Sequence, residues 1–245
     1  MPPQAPSTLF SALLPEHLII LRSGRWFHGL PQPLSEQLTG LARAQQLATG
    51  EALYLRGDPP GGLYAVLRGT LGISGAGAEG QARSSLLTLL EPPAWFGETS
   101  LFDRDARSHD VHATEPSCVA HIPQAPLLQW LDQHPEHWRS MALLLTYKLR
   151  QAWMTLEEQS LLAAPQRLAR RLVTMAEDYG LRLDTTQSRR TLNLSQEQLA
   201  RMLALSRQTT NQILQDLQQR ALIRLYRGKL EILDLPRLRE SCLLK

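Results

Sequence analysis

The stretch PEHWRSMALLLTYKLRQAWMTLEEQSLLAAP, residues 135–165, holds 29 residues between Pro135 and Pro165 with neither glycine nor proline among them. Nothing there breaks a helical repeat, so the spacing predicts one helix over 136–164, roughly 40 Å long at 1.5 Å per residue. Trp138, Ala142, Leu145, Leu149, Ala152, Leu156 and Ala163 recur at alternating steps of four and three, with Gln159 the one break. Such a stripe is a seam for a partner helix. Met141, Leu144, Tyr147 and Trp153 lie off the stripe, free to pack on the protein's own body. Lys148, Arg150, Glu157 and Glu158 exclude a membrane span.

Working outward, the 245 residues suffice for two modest domains, and the charge is unevenly divided between them. Residues 1–164 carry 11 Lys and Arg against 15 Asp and Glu, a net of −4; residues 165–245 carry 15 against 8, a net of +7. A compact basic segment behind the long helix points toward nucleic acid. Two cysteines, Cys118 and Cys242, make neither a disulfide framework nor a four-thiolate cluster, which fits the cytoplasm. The early apolar run Leu18–Leu21 lacks the length and the basic lead of a signal peptide.

Ahead of the helix, residues 1–24 read as a loose arm with at most one short helix, and Ser35 is expected to cap another. From Leu53 to Ile122, β-favouring runs (Leu53–Leu55, Leu63–Leu67, Leu71–Ser74, Ser84–Leu90, Val111–Ala113, Val119–Ile122) alternate with turn clusters such as Gly57-Asp58-Pro59-Pro60-Gly61-Gly62. That rhythm predicts a sandwich or barrel. Gly75, Gly77 and Gly80 match G-x-G-x-x-G, but strand-like residues follow where a dinucleotide fold needs a helix, so a hairpin loop is the better reading. His109, His112, His121 and Cys118 show no ligand spacing, and no metal site is expected.

Behind Pro165, a helix over Gln166–Tyr179 should stop at Gly180, with a short polar hairpin after it. Ser195 and Gln198 form a capping box for a helix over Gln196–Leu203, and Ser206 caps a second helix. Packing Leu199, Ala200 and Leu203 against Thr210, Ile213, Leu214 and Leu217 leaves Arg207, Gln208, Asn211 and Gln212 facing outward at the N-terminal end of the second helix. That end suits a DNA major groove. Two strands around Arg227-Gly228 follow as a wing whose Arg224, Arg227 and Lys229 can hold phosphates.

At Trp95-Phe96-Gly97-Glu98-Thr99-Ser100-Leu101-Phe102 with Arg107-Ser108, and again at Leu205-Ser206-Arg207-Gln208-Thr209-Thr210-Asn211, the chain resembles the Crp/Fnr (cyclic AMP receptor protein) family of bacterial transcription regulators. The resemblance runs over about residues 25–235. Behind the arm (1–24), it implies an α+β chain: a cyclic-nucleotide-binding-like sensory β-roll (25–134), a dimerisation helix (135–164) and a winged helix-turn-helix (165–245). It implies a homodimer on an inverted repeat of double-stranded DNA, RNA polymerase as a protein partner, and no enzymatic activity. Effector contacts would come from Gly97, Glu98, Thr99, Arg107 and Ser108, with Glu98 accepting a ribose hydroxyl and Arg107 pairing a phosphate. DNA contacts would come from Ser206, Arg207, Gln208, Asn211, Gln212, Arg227 and Lys229.

The chain also departs from the pattern. Ala152-Trp153 stands where cyclic-AMP-responsive members offer a Thr-Ser pair to adenine, which counts against cyclic AMP and leaves Trp153 to stack on another base or to fill the pocket. No cysteine precedes Cys118, which excludes the N-terminal iron-sulfur cluster of oxygen-sensing members. Two alternatives stay open at this point, a ligand-free structural β-roll and a nucleotide-dependent enzyme built on Gly75, Gly77 and Gly80.

Overall fold

The computed structural model describes residues 10–75, 85–183, 188 and 190–242. They form two compact units, one extending to Thr146 and the other continuing from Tyr147, with Ser85–Leu87 grouped with the second.

The first unit runs β1 (Phe10–Ser11), α1 (Pro15–Ser23), α2 (Arg25–His28), α3 (Gln32–Leu41), β2 (Arg43–Leu47), β3 (Ala52–Tyr54), β4 (Gly62–Arg68), β5 (Leu71–Gly75), β6 (Ser85–Leu90), β7 (Trp95–Phe96), α4 (Thr99–Asp103), β8 (Asp110–Ala113), β9 (Ser117–Pro123), α5 (Gln124–Gln133) and the start of α6 (Trp138–Leu161). Two antiparallel sheets, ordered β1-β2-β9-β4-β7 and β3-β8-β5-β6, make the β-roll. Strand β4 is buried on both faces, which is why Leu63–Leu67 is a continuous apolar run and not an alternating one. Its odd positions Leu63, Ala65 and Leu67 join Leu21, Leu34, Leu38, Leu127, Leu131, Met141 and Leu144 in a core under the helices. The even position Tyr64 meets Tyr54 of the other sheet, with ring centroids 5.7 Å apart.

Two expectations about this unit need correction, and two strands escaped the sequence reading. Phe10 and Ser11 pair with Gln45 and Ala44 and Leu21 is fully buried, so residues 10–24 complete the sheet and core and are no loose arm. Ser35 lies inside α3, which starts after Pro31 with a proline in its first turn. Strands β2 and β7 were hidden because Arg43–Leu47 mixes Gln with Ala and Leu, and Trp95-Phe96 is too short to show a period.

The long helix is also shorter than 136–164. Residues Pro135–His137 form a 3₁₀ turn, α6 spans Trp138–Leu161, and Ala163 is extended as the N-cap of the next helix. Proline at the second position of that helix fits helix entry, so Pro165 marks a start already under way. Met141 and Leu144 are buried, whereas Leu143, Leu149, Trp153, Met154, Leu156 and Leu161 are exposed. Trp138 packs on the first unit's core and leaves the seam; Trp153, expected on the body, is 64% exposed.

The second unit continues with α7 (Ala164–Ala176), a 3₁₀ turn at Asp178–Gly180, β10 (Thr191–Leu192), α8 (Gln196–Met202), α9 (Arg207–Gln219), β11 (Ile223–Tyr226), β12 (Lys229–Ile232) and α10 (Leu235–Glu240). Helix α7 ends at Ala176, ahead of the Tyr179 expected from sequence. A three-stranded sheet ordered β10-β12-β11 forms the wing. The polar hairpin expected between Leu181 and Asn193 lies partly outside the described residues, at 184–187 and 189.

Candidate nucleic-acid interface and effector cassette

The helix-turn-helix is built from the caps that the sequence shows. The Ser195 hydroxyl accepts from the Gln198 amide at 3.1 Å while the Gln198 side chain accepts from the Ser195 amide at 2.7 Å, and Ser206 Oγ accepts from the Thr209 amide at 2.9 Å. Between the helices Ala204 takes a left-handed conformation, φ 53°, and the Leu205 amide closes the turn on the Ala200 carbonyl at 2.9 Å. Leu199, Ala200, Leu203, Thr210, Ile213, Leu214 and Leu217 are all buried. The outward set, Ser206, Arg207, Gln208, Asn211 and Gln212, is exposed without exception. Hydrogen-bonding side chains thus project from the first turns of a helix whose opposite face is anchored.

Arg224, Arg227 and Lys229 of the wing are exposed as well, but they differ in surroundings. Glu231 lies 3.6 Å from Arg224 and accepts from the Tyr226 hydroxyl at 3.1 Å, while the Lys229 ammonium lies 5.1 Å from the Tyr226 ring centroid. A cleft of about 190 Å³ separates this wing from the start of α8, lined by Ser195, Gln196, Tyr226, Arg227 and Lys229 among others.

In the cassette, Gly97, Glu98, Ser100 and Arg107 come together. Gly97 has φ +88°, and a Cβ there would lie 2.8 Å from the Gly62 carbonyl and 3.1 Å from Arg107 Nη1, so the protein's own neighbours already require glycine. Arg107 is 4% exposed. Its Nη2 donates to the Gly62 carbonyl at 2.8 Å and its Nη1 to the Gly97 carbonyl at 3.2 Å, with Ser100 Oγ at 3.5 Å. Its Cζ stands 4.4 Å from the Tyr54 ring centroid and 5.4 Å from that of Tyr64, so carbonyl dipoles and ring faces stabilise a buried cation. Burial, opposed by the nearby Arg107 charge, pushes both phenols above the usual tyrosine range. Glu98 is also buried, whereas Thr99 and Ser108 are exposed, and the Ser108 hydroxyl pairs with His109 Nδ1 at 2.8 Å.

Tyr54, Tyr64 and Ser100 were missed from sequence. Ser100 stands inside the cassette motif and could have been read there, but nothing local says that Tyr54 and Tyr64, on different sheets, share one guanidinium. Trp153 sits in the second unit, exposed on α6. Of the histidines, His121 stacks on Tyr64 at 4.7 Å and holds the Gly61 carbonyl at 2.8 Å; since a carbonyl only accepts, its Nε2 carries the proton. Among the described residues no three His, Cys, Asp or Glu side chains converge as a metal site, and no helix is long and apolar enough to cross a membrane. Gly77 and Gly80 lie outside the described residues, and Gly75 ends strand β5.

Comparison with known proteins agrees with this architecture. Residues 44–134 match the cyclic nucleotide-binding domain family and residues 166–241 the Crp-like helix-turn-helix domain family. The chain is 28% identical over 220 residues to a CRP-like cAMP-activated global transcriptional regulator of Mycobacterium tuberculosis, covering 90% of this chain and 96% of the relative. It is 28% identical over 220 residues to the cyclic AMP receptor protein of Thermus thermophilus, covering 89% and 94%. The structure of FixK2 from Bradyrhizobium japonicum shares the fold, with TM-score 0.70 and 17% identity over 83% of this chain and 98% of that one. With both domain models matched in order around α6, the chain belongs to the Crp/Fnr family of transcription regulators.

Proposed function

We propose that the protein acts as a homodimer joined along α6 and sets α9 of each copy into successive major grooves of an inverted repeat, its half-sites about 34 to 36 Å apart. The observation that carries this is the exposed Arg207, Gln208, Asn211 and Gln212 on a helix whose inner face is wholly buried. Arg207 can grip O6 and N7 of a guanine. The Gln208 amide, one donor and one acceptor, matches adenine, and Gln212 offers no cation for a second guanine. Ser206, Arg227 and Lys229 are assigned to phosphates. The protein works by binding and not by catalysis, in the cytoplasm where promoters are, with RNA polymerase as its partner on family grounds.

Site selection from random duplexes tests this reading. The expected motif is a palindrome with one strongly preferred G·C pair per half-site, at which Arg207→Ala loses about 1 to 3 kcal/mol. An unchanged motif in Arg207→Ala, or a motif with no two-fold symmetry, would mean that α9 does not lie in the groove.

For the β-roll the proposal is an anionic effector, such as a cyclic nucleotide, on Gly97, Glu98, Thr99, Arg107 and Ser108. Two relatives are named for cyclic AMP, but Ala152-Trp153 supplies no hydroxyls for adenine, so Trp153 is assigned to a different base. A second reading, a roll that works without ligand, is favoured by one observation: both terminal nitrogens of Arg107 already donate to backbone carbonyls.

A further inference from the structure

The groups nearest the Arg107 guanidinium are the protein's own, and they differ in how firmly they are held. Tyr64 is 6% exposed, paired in register with Phe96 and His121 on the neighbouring strands, and stacked on both rings at 5.4 and 4.7 Å. It is locked in the sheet. Tyr54 has the closer ring, 4.4 Å from Cζ, yet it is only partly buried and ends the three-residue strand β3. The pairing of β3 with β8 shifts register between Ala52 and Tyr54, and an exposed turn, Leu55-Arg56-Gly57, follows. The turn itself is tied down, the Gly57 amide donating to the Arg107 carbonyl at 2.8 Å and the Arg56 amide to Asp110 Oδ1 at 2.7 Å, so what can move is the Tyr54 side chain, at the irregular end of a short edge strand, and not the strand.

Arg107 itself is 4% exposed, so an anion reaches it only after a neighbour moves, and Tyr54 is the neighbour with least to lose. We propose that Tyr54 is a gate over the Arg107 anion subsite, a specificity-determining residue whose ring must leave the guanidinium before the phosphate of an effector can take its place. This rests on the effector reading above. The exchange replaces a cation–π contact with a charge-assisted, bidentate pair, so the gate favours phosphate esters over uncharged ligands and lowers affinity by the fraction of time it stands closed.

The test is calorimetric titration of the full chain with 3′,5′-cyclic AMP and, separately, 3′,5′-cyclic GMP. Tyr54→Ala should bind at least one of them about tenfold or more tightly than wild type, while Tyr54→Phe, which keeps the ring, should bind as wild type does. Tyr54→Val, suited to a strand, stands in if the alanine variant unfolds by circular dichroism. Equal affinity in the wild type and the ring-deleted variant, or no binding by either, overturns the gate, as does an equal gain in Tyr54→Phe. Arg107→Ala titrated alongside keeps the two readings apart: no binding by any variant, or binding that survives in Arg107→Ala, overturns the effector reading and the gate with it, whereas binding lost in Arg107→Ala but equal in wild type and Tyr54→Ala overturns the gate alone.

Discussion

Thr210 of α9 is wholly buried, and its hydroxyl has no hydrogen-bond partner among the described residues. An unpaired buried hydroxyl costs about 1 to 3 kcal/mol, so Thr210→Val, which keeps the branched shape, should stabilise the second unit by roughly 1 kcal/mol. Urea unfolding checks it; a lower midpoint would mean the hydroxyl has a partner after all. His121 makes a second case. Burial, helped by the Arg107 charge and opposed by the bond to the Gly61 carbonyl, lowers its pKa below the usual histidine range. Above about pH 6.5 the ring is neutral in both states and the stability is whole. As pH falls through that value the unfolded chain takes the proton first, and stability is lost. His121→Gln, whose amide can still donate to Gly61, should lose less stability than wild type between roughly pH 7.5 and 5.5; equal losses would place the effect in another group. The Ser195–Gln198 and Ser206 caps were legible at this scale, because each joins residues three apart. The surroundings of Arg107 were not, since Gly62 is 45 residues away in sequence.

Among elements, α6 departs most from its sequence reading. The a/d stripe was legible, but Trp138 and Ala163 drop out, one to the first unit's core and the other to the extended N-cap of α7. What remains exposed at the seam is Leu149, Ala152 and Leu156, with Leu149 and Leu156 at 55% and 53%. Large apolar side chains left open in a row call for a second copy. Glutamates at both Leu149 and Leu156 would bury carboxylates in such an interface at a cost of several kcal/mol. Analytical ultracentrifugation at micromolar concentration should find that double variant monomeric with wild-type helix content; a folded dimer would move the interface off this stripe. Strands show the same division. The runs from Leu63 and Leu71 were readable as apolar blocks, whereas β2 and β7 take their identity from pairing with β9 and β4.

For the molecule as a whole, the separation of charge, −4 over residues 1–164 and +7 over residues 165–245, predicts strongly salt-dependent DNA binding. If the dimer neutralises 6–10 phosphates, affinity should fall by about 10³–10⁵ between 50 and 200 mM salt. A gel-shift series reads this directly, and a loss of less than tenfold would show that phosphate contacts by Arg227, Lys229 and their neighbours contribute little. The sequence alone determined the order of parts, a sandwich or barrel of short strands, a long helix and a winged helix-turn-helix, because caps, turn clusters and apolar periods act between residues a few positions apart. It also determined which helix end carries the polar tip from Arg207 to Gln212. Only the tertiary structure decided that Phe10 and Leu21 complete the roll, that α6 stops at Leu161, and that Tyr54 and the Gly62 and Gly97 carbonyls surround Arg107. Those outcomes depend on strand pairing and on the two sheets facing each other, which bring together residues tens of positions apart, a distance over which no local pattern carries information.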